Sequence, residues 1–442
     1  MRKNYKPMLV PAAKSIGFQF AALVFVAICL AGWSARSHSD APFAVWSIMA
    51  AVFAVLLSKF DYLNPLPAFF FPWMTITLFG GLELSQYARP LSDKTHIIVW
   101  AIEFSAFLGY YLAVRRKRSR PEKPFIAVVS VGKFSALVWI FAALTVFNVA
   151  VAGYVPLITG IRTGDTGYLD FGVHGVYGFY NAFANALGLL AFFMFLQTGR
   201  RLYLAVWALI CAVFVLFVSR QNVLSMVIQS AVVYCFVKGR ISRKKLAVCA
   251  AFLLVLFSVA GTLRSGNIKQ IAGIKDEYQD LPDAVIWIYA YSYFNVLNLD
   301  NVLTNSQLPV YDGSAVLSLL PTFLRPELSH IDEEIELEQF NAYSYVAPVF
   351  ADAGLWGTVL FTCGIMWWSV SSYQQALQDG SFYSISKYSV LFFCALFSFF
   401  VNFWFYLPII CEIPILAWMS KYVLETSTNR WAGGFAPDPV RT

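Results

Sequence analysis

Charged side chains are scarce in this chain. They make up 13% of the 442 residues, whereas 59% of the residues are hydrophobic and the mean hydropathy is +0.63. Soluble domains carry about 25% charged residues, so the composition excludes a large soluble protein and predicts an integral membrane protein. The formal net charge of +7 comes from basic residues in short loops between apolar runs. Such positions favour a role in membrane topology and contact with lipid headgroups over binding of nucleic acid.

The common catalytic and metal-binding motifs are also lacking. The sequence has no Walker loop, dinucleotide fingerprint, Gly-x-Ser-x-Gly elbow, His-Glu-x-x-His motif or zinc-type Cys/His spacing. These absences argue against an ATPase, a nicotinamide enzyme, a serine hydrolase of the common kind and a zincin. The seven cysteines lie in or beside apolar runs and are interpreted as small core residues. We therefore expect neither a cofactor nor a metal.

Long apolar runs dominate what is present. A membrane-spanning helix needs about 20 mostly apolar residues. By this criterion we predict about twelve spans, at 16–34, 42–59, 66–84, 96–114, 133–152, 175–197, 202–218, 220–237, 246–263, 345–370, 387–405 and 408–423. The first has no clear small-x-small cleavage site, so we interpret it as an uncleaved span. The expected fold is an all-α polytopic membrane protein. Because of Pro408, residues 387–423 can form either two spans or one span plus an interfacial segment.

The basic clusters agree with a single orientation. If the N-terminus is cytoplasmic, the clusters at 115–120, 200–201 and 238–245 all fall on the cytoplasmic side, as the positive-inside rule requires. The segment 153–174 is then an outer loop, and its many glycines predict a loop rather than a helix.

A second outer segment, 264–344, is the largest and lies between spans nine and ten. It carries four Lys or Arg against twelve Asp or Glu, a balance typical of a translocated loop. Within it, the aromatic and apolar run 284–299 is broken by Asn295 and Asn298. We interpret this run as a helix lying in the membrane interface rather than crossing it.

Several arginines are expected at the outer face. Arg220 opens one span and Arg264 ends the next, and the basic patch between these spans holds their connection in the cytoplasm. Arg162, in a glycine-rich setting, and Arg325 lie in the two outer loops. The arginine fork binds phosphate oxygens through two parallel hydrogen bonds. The alternative for each is structural, because a terminal arginine also anchors a span to headgroups and Arg162 can pair with Asp165.

Such arginines suit a diphosphate-linked lipid in the outer leaflet. Cleavage of its glycosidic bond builds negative charge on the departing diphosphate, which fixed cations stabilise. The reaction also needs a base for the acceptor hydroxyl, and Asp165, Asp170, His174 and Asp352 are candidates. His174 and Asp352 have structural alternatives, since a histidine after a glycine-rich loop is often structural and a carboxylate in the first turns of a helix complements its dipole. Glu412 belongs to the same class as Asp352.

The chain resembles the O-antigen polymerase family, the Wzy-type oligosaccharide repeat-unit polymerases. The resemblance rests on Ser219-Arg220 at the entrance to a span, on the order of the segments 153–157 and 171–175, on the long outer loop, and on the segment 345–357 with its aromatic-x-Asp-x-Gly-x-x-Gly pattern. It covers roughly residues 150–360. The residue after Arg220 is Gln221, where the family commonly has a small residue.

The resemblance implies a metal-independent membrane glycosyltransferase of the C type in the bacterial cytoplasmic membrane. Its donor and acceptor would both be undecaprenyl-diphosphate-linked oligosaccharides, with Arg220, Arg264 and Arg162 holding the diphosphate. A chain-length regulator and a flippase are further partners that it implies.

Two other functions stay open from the sequence. An O-antigen ligase uses the same donor but transfers the glycan to a lipid A core. A flippase or transporter of lipid-linked sugars is the alternative outside enzymes, and it should place charges deep in several spans. Mid-span positions here are nearly free of Lys and Arg, and Glu103 is the main charged exception.

Overall fold

The computed structural model describes residues 41–115, 127–168, 170–173, 175–239, 267–305, 307–320 and 342–426, together with Leu324, Leu337 and Phe340. The spans predicted at 16–34 and 246–263 lie outside the described residues. So do the predicted site residues His174, Arg264 and Arg325.

Helices follow most of the predicted spans in the described part of the chain. They are α1 (Ala41–Leu57), α2 (Pro65–Gly80), α3 (Asp93–Arg115), α4 (Val131–Ala152), α5 (Pro156–Thr163), α6 (Val176–Thr198), α7 (Arg201–Leu216), α8 (Arg220–Lys238), α9 (Ile268–Ile271), α10 (Asp283–Thr304), α11 (Ser314–Leu317), α12 (Val346–Asp379), α13 (Phe382–Leu396), α14 (Leu407–Ile410) and α15 (Glu412–Val423). Two short strands, β1 (Ala127–Val129) and β2 (Leu424–Thr426), pair antiparallel.

Four helical segments of the described chain are long and apolar enough to cross a membrane. They are α3, the segment Val131–Thr163, α6 and α12. The segment Val131–Thr163 is mostly exposed, and its Trp139 and Val146 are 73% and 66% exposed. Large apolar side chains exposed along a helix of this length are what contact with lipid produces. The described part of the fold is therefore that of an all-α membrane protein, with shorter apolar helices beside the four long ones.

The chain divides into two compact units. Unit 1 comprises residues 1–119, 239–374 and 388–410, and unit 2 comprises residues 120–238, 375–387 and 411–442. In unit 1, α2 packs on α1 and on α10, and α10 also packs on α3. In unit 2, α6 is central and packs against α7, α8, α4 and α15.

Two glycines lie at close helix contacts, one in each unit. A Cβ at Gly109 of α3 would lie 2.3 Å from the carbonyl oxygen of Cys363 in α12. A Cβ at Gly188 of α6 would lie 2.3 Å from Cε of Met226 in α8. At Gly109 the obstacle would be backbone, so glycine is what permits α3 and α12 to approach. At Gly188 it would be the flexible end of the Met226 side chain, which can move.

The loop predicted at 153–174 contains a helix, so that expectation was wrong in part. Pro156 occupies the first turn of α5, where its missing N–H costs nothing, and Gly164 ends the helix in the left-handed conformation. The interior Gly160 does not prevent helix formation.

The apolar run interpreted as an interfacial helix is longer than expected. The helix α10 continues through Asn295 and Asn298, both of which are fully buried. Asn298 donates hydrogen bonds to the carbonyls of Phe340 (2.6 Å) and Ala342 (2.9 Å). The two asparagines therefore pack inside unit 1 and do not break the helix.

The predicted span 387–405 was wrong at its C-terminal end. The helix α13 ends at Leu396, and residues 397–406 form turns and a short 3-10 helix. Ser344 and Tyr345 donate backbone hydrogen bonds to the carbonyls of Phe400 (3.1 Å) and Ser398 (3.0 Å). These contacts give the carbonyls of the non-helical segment hydrogen-bond partners within the protein. A membrane protein tolerates non-helical backbone where it is buried in protein in this way.

Candidate active site

The helix α12 is interrupted at Gly354, in unit 1. This residue has φ 64° and ψ −165°, a conformation that residues with a Cβ rarely adopt. The interruption leaves the carbonyl of Ala351 free, and it accepts hydrogen bonds from the N–H groups of Val310 (2.9 Å) and Tyr311 (3.4 Å). The break therefore ties the chain that precedes α11 to the first turns of α12.

A pair of carboxyl groups lies at this break. The Asp352 carboxylate accepts hydrogen bonds from Ser314 Oγ (2.7 Å) and from the N–H of Ala315 (2.7 Å). The carboxyl of Asp312 lies close to that of Asp352 and accepts a hydrogen bond of 3.0 Å from the N–H of Ser314. Asp352 is half-buried and Asp312 is exposed, so this carboxyl site is within reach of solvent.

A groove of about 410 Å³ opens beside the break. It is lined by Lys94, Ile97, Ile98, Leu308, Pro309, Tyr311, Phe350, Gly354, Leu355 and Trp356. The ammonium of Lys94 lies 5.2 Å from the centroid of the Phe350 ring, a cation–π contact. Trp356 and Tyr311 at its rim are 76% and 70% exposed. We call this site the α3–α12 groove; it combines one cation and one phenol with apolar walls.

The helices that form the groove run parallel. Lys94 and Phe350 meet near the start of each helix, and Gly109 and Cys363 meet about fourteen residues further along both. The predicted topology has spans four and ten crossing the membrane in the same direction, and the packing of α3 on α12 has that relative direction. The groove lies at the ends where both helices begin.

Unit 2 contains Arg162 and Arg220. Arg162 is exposed in the last turn of α5, and Arg220 is the first residue of α8. The loop that carries Arg162 packs on the turn before Arg220, because the ring of Phe171 lies 4.4 Å from that of Phe217. Both arginines therefore belong to one end of unit 2.

The backbone before Arg220 is strained. Val218 has φ 56°, and a positive φ in a β-branched residue is a genuine outlier. Strain of this kind costs about 1–3 kcal/mol and concentrates at functional sites. The observation favours a functional role for the Ser219-Arg220 turn over simple anchoring of a helix.

Asp165 makes a local turn. Its carboxylate accepts a hydrogen bond of 3.0 Å from the N–H of Gly167, and the side chain is exposed. Arg162 and Asp165, both within the described residues, form no ion pair. This weakens the alternative in which Arg162 serves only to pair with Asp165. Asp165 instead forms an Asx turn.

Three residues of the groove region were missed by the sequence reasoning: Lys94, Tyr311 and Asp312. Lys94 gave a usable signal, because it is a cation in a segment that the topology places outside. Tyr311 and Asp312 gave none. Their importance depends on the break at Gly354, which is not visible without the fold.

An ion pair fixes the chain just before the groove. Arg89 Nη1 lies 2.5 Å from Oδ2 of Asp300, which is 1% exposed. Oδ1 accepts hydrogen bonds from the hydroxyls of Ser92 and Thr95, each 2.6 Å long. Burial alone would raise the pKa of Asp300, but these hydrogen bonds and Arg89 outweigh it and lower the pKa below its usual value. The network joins α10 to the start of α3 and so positions Lys94.

Comparison of the chain with protein-family models, with curated proteins and with solved structures gives no match.

Proposed function

We propose that this protein is a membrane glycosyltransferase that joins undecaprenyl-diphosphate-linked oligosaccharide repeat units at the outer face of the bacterial cytoplasmic membrane. The observation that carries the proposal is the carboxyl pair Asp352 and Asp312 beside the α3–α12 groove. An apolar groove with one ammonium at the end where α3 and α12 begin fits a lipid chain that carries an anionic head group. A carboxylate next to that head is what the transfer of a sugar requires.

The substrate class follows from the chemistry of the groove walls. The exposed rings and aliphatic side chains of Trp356, Leu355 and Ile97 suit an isoprenoid chain. The ammonium of Lys94 and the hydroxyl of Tyr311 suit phosphate oxygens. We also propose Arg162 and Arg220 of unit 2 as diphosphate ligands, as the sequence predicts. Arg264 and Arg325, predicted in the same role, lie outside the described residues.

The reaction is a substitution at the anomeric carbon of the donor. A hydroxyl of the acceptor glycan attacks this carbon, and the bond from the carbon to the diphosphate oxygen breaks. The lipid diphosphate leaves with the electron pair of that bond. Asp352 takes the proton of the attacking hydroxyl as general base, while Lys94 stabilises the charge on the leaving diphosphate.

Transport of lipid-linked oligosaccharides is the second candidate. It is favoured by a row of buried polar residues in unit 2, which includes Asn185, Asn222 and Gln229. Such a row is compatible with a polar path through the membrane. The carboxyl pair and the groove have no evident purpose in this alternative, so we rank it below glycosyl transfer.

The deciding experiment supplies the purified protein in vesicles with defined lipid-linked substrates. The proposal expects glycans of increasing length on the lipid carrier, without added nucleotide. Transfer to a lipid A core alone would instead indicate a ligase. Movement of labelled lipid across the vesicle wall without a new glycosidic bond would indicate a transporter.

A further inference from the structure

Glu412 of unit 2 is a fully buried carboxyl group. Its Oε2 accepts a hydrogen bond of 3.1 Å from the side-chain amide of Gln229. Its Oε1 has no hydrogen-bond partner among the residues that the structure describes. An ionised carboxylate buried without a cation is prohibitively costly. Within the part of the chain that the structure describes, an ionised Glu412 would therefore lack a compensating charge.

None of the ionisable groups on the elements around Glu412 contributes a charge or a hydrogen bond to its carboxyl. They are Tyr177 and Tyr180 on α6, Arg220, Tyr234, Cys235 and Lys238 on α8, Cys411 and Lys421 beside or on α15, and Lys133 on α4. Arg220 and Lys238 are each nine residues from Gln229, about 13.5 Å along the helix. Lys133 lies over the ring of Tyr422, near the far end of α15. Tyr180 bonds to Thr145. Among the described residues, Glu412 thus has only the neutral Gln229 as its partner.

The amide of Gln229 is compatible with a proton on Glu412. Its nitrogen lies 2.6 Å from Ser225 Oγ and 3.1 Å from Glu412 Oε2, while its oxygen has no partner among the described residues. The amide nitrogen carries two hydrogens and can donate one to each of these oxygens. A proton on Oε1 of Glu412 then makes the carboxyl neutral without disturbing either hydrogen bond.

Further polar side chains continue from this group toward the start of α8. Ser225 and Asn222 precede Gln229 by four and seven residues, which places all three on one face of the helix. Asn222 donates to Ser219 Oγ (2.7 Å) and accepts from Asn185 of α6 (3.3 Å). All but Ser219 are buried. Because α6 packs against α8, this row is enclosed by protein.

We propose that Glu412 is a proton-binding site, with Gln229 as its hydrogen-bond partner and the row through Ser225 and Asn222 to Ser219 as its route to the start of α8. The site belongs to unit 2, shares no residue with the α3–α12 groove and takes no part in the proposed glycosyl transfer. A proton on Glu412 keeps α15 bonded to α8 through Gln229, and its loss leaves an uncompensated charge in the interior of unit 2.

The site can be tested without any substrate. Dicyclohexylcarbodiimide adds to protonated carboxyl groups in apolar surroundings, and mass spectrometry of the full chain in vesicles locates the adduct. The proposal expects labelling of Glu412 that declines as the buffer is made alkaline, and its complete loss in Glu412→Gln. No labelling of the folded protein, or labelling independent of pH, would overturn the proposal. If sodium ions protected Glu412 from labelling, the bound charge would be a metal cation and not a proton, and the proposal would be overturned.

The route is tested by a rapid pH change on one side of the vesicle. Labelling should respond severalfold more slowly in Asn222→Leu than in the parent. Ser230→Ala is the matched control, because Ser230 is also buried on α8 but accepts its hydrogen bond from Trp207. An unchanged response in Asn222→Leu, or an equal slowing in Ser230→Ala, would contradict the route.

Discussion

The ammonium of Lys94 lies 5.2 Å from the centre of the Phe350 ring, at the beginning of the α3–α12 groove. If it binds the diphosphate of the donor, Lys94→Ala should raise KM about tenfold, equivalent to about 1.4 kcal/mol of binding. Lys94→Arg should recover part of this loss because the charge is kept. The control is Lys133→Ala, which removes a similar lysine–ring contact to Tyr422 in unit 2 and should leave KM unchanged.

Gly354 should tolerate alanine poorly. At φ 64° the new Cβ would be strained and would lie 3.3 Å from both Pro309 and Tyr311, so we expect a loss of about 1–3 kcal/mol of stability. Gly364→Ala in the same helix is the control, since a Cβ there meets nothing within 4 Å. Thermal unfolding in detergent checks this. Equal midpoints for the two variants would show that the break at Gly354 is not required.

Acid should weaken the network around Asp300. The folded-state pKa of this carboxyl is lowered, so its contribution to stability is complete above the unfolded value of about 3.9 and is lost as the pH falls through the lower folded value. The unfolding temperature should therefore drop in this acidic range. Asp300→Asn should be less stable at neutral pH and should show a shallower decline with acid. An identical decline in parent and variant would assign the acid sensitivity to other carboxyl groups.

Arg220 provides a test of the forked phosphate contact. Arg220→Ala should raise the barrier by about 2.7–4 kcal/mol, the usual loss when one charge-stabilising donor is removed. Arg220→Lys should recover only part of the rate, because an ammonium cannot form two parallel hydrogen bonds. Rates of glycan transfer in vesicles measure both variants. Full activity in Arg220→Ala would show that this arginine only anchors its helix.

The sequence predicted the apolar helices well because their signal is local. The span predicted at 220–237 appears as Arg220–Lys238, and that at 175–197 appears as Val176–Thr198. The short helix after Pro156 and the early end of α13 were missed. In both places, tertiary contacts and capping decided the backbone, and a hydropathy count does not register them.

The candidate site was less accessible from the sequence. Asp352 was identified from its place in a motif near the start of a span. Its neighbour Asp312 was not, because forty residues separate them and only the break at Gly354 brings their carboxyls together. Glu412 was noted as a candidate base, yet its single described hydrogen-bond partner, Gln229, belongs to a distant helix and could not be inferred.

The most direct measurement compares the parent and Asp352→Asn in vesicles that contain a defined undecaprenyl-diphosphate oligosaccharide. Asparagine keeps an acceptor for the N–H of Ala315 and offers Ser314 Oγ a donor in place of an acceptor, so the fold should persist, and an unchanged unfolding temperature would verify this. We predict a ladder of glycans in the parent and a rate about 10²–10⁴-fold lower in the variant, the usual contribution of a general base. A parent that forms no glycosidic bond, or a variant as fast as the parent, would contradict the account.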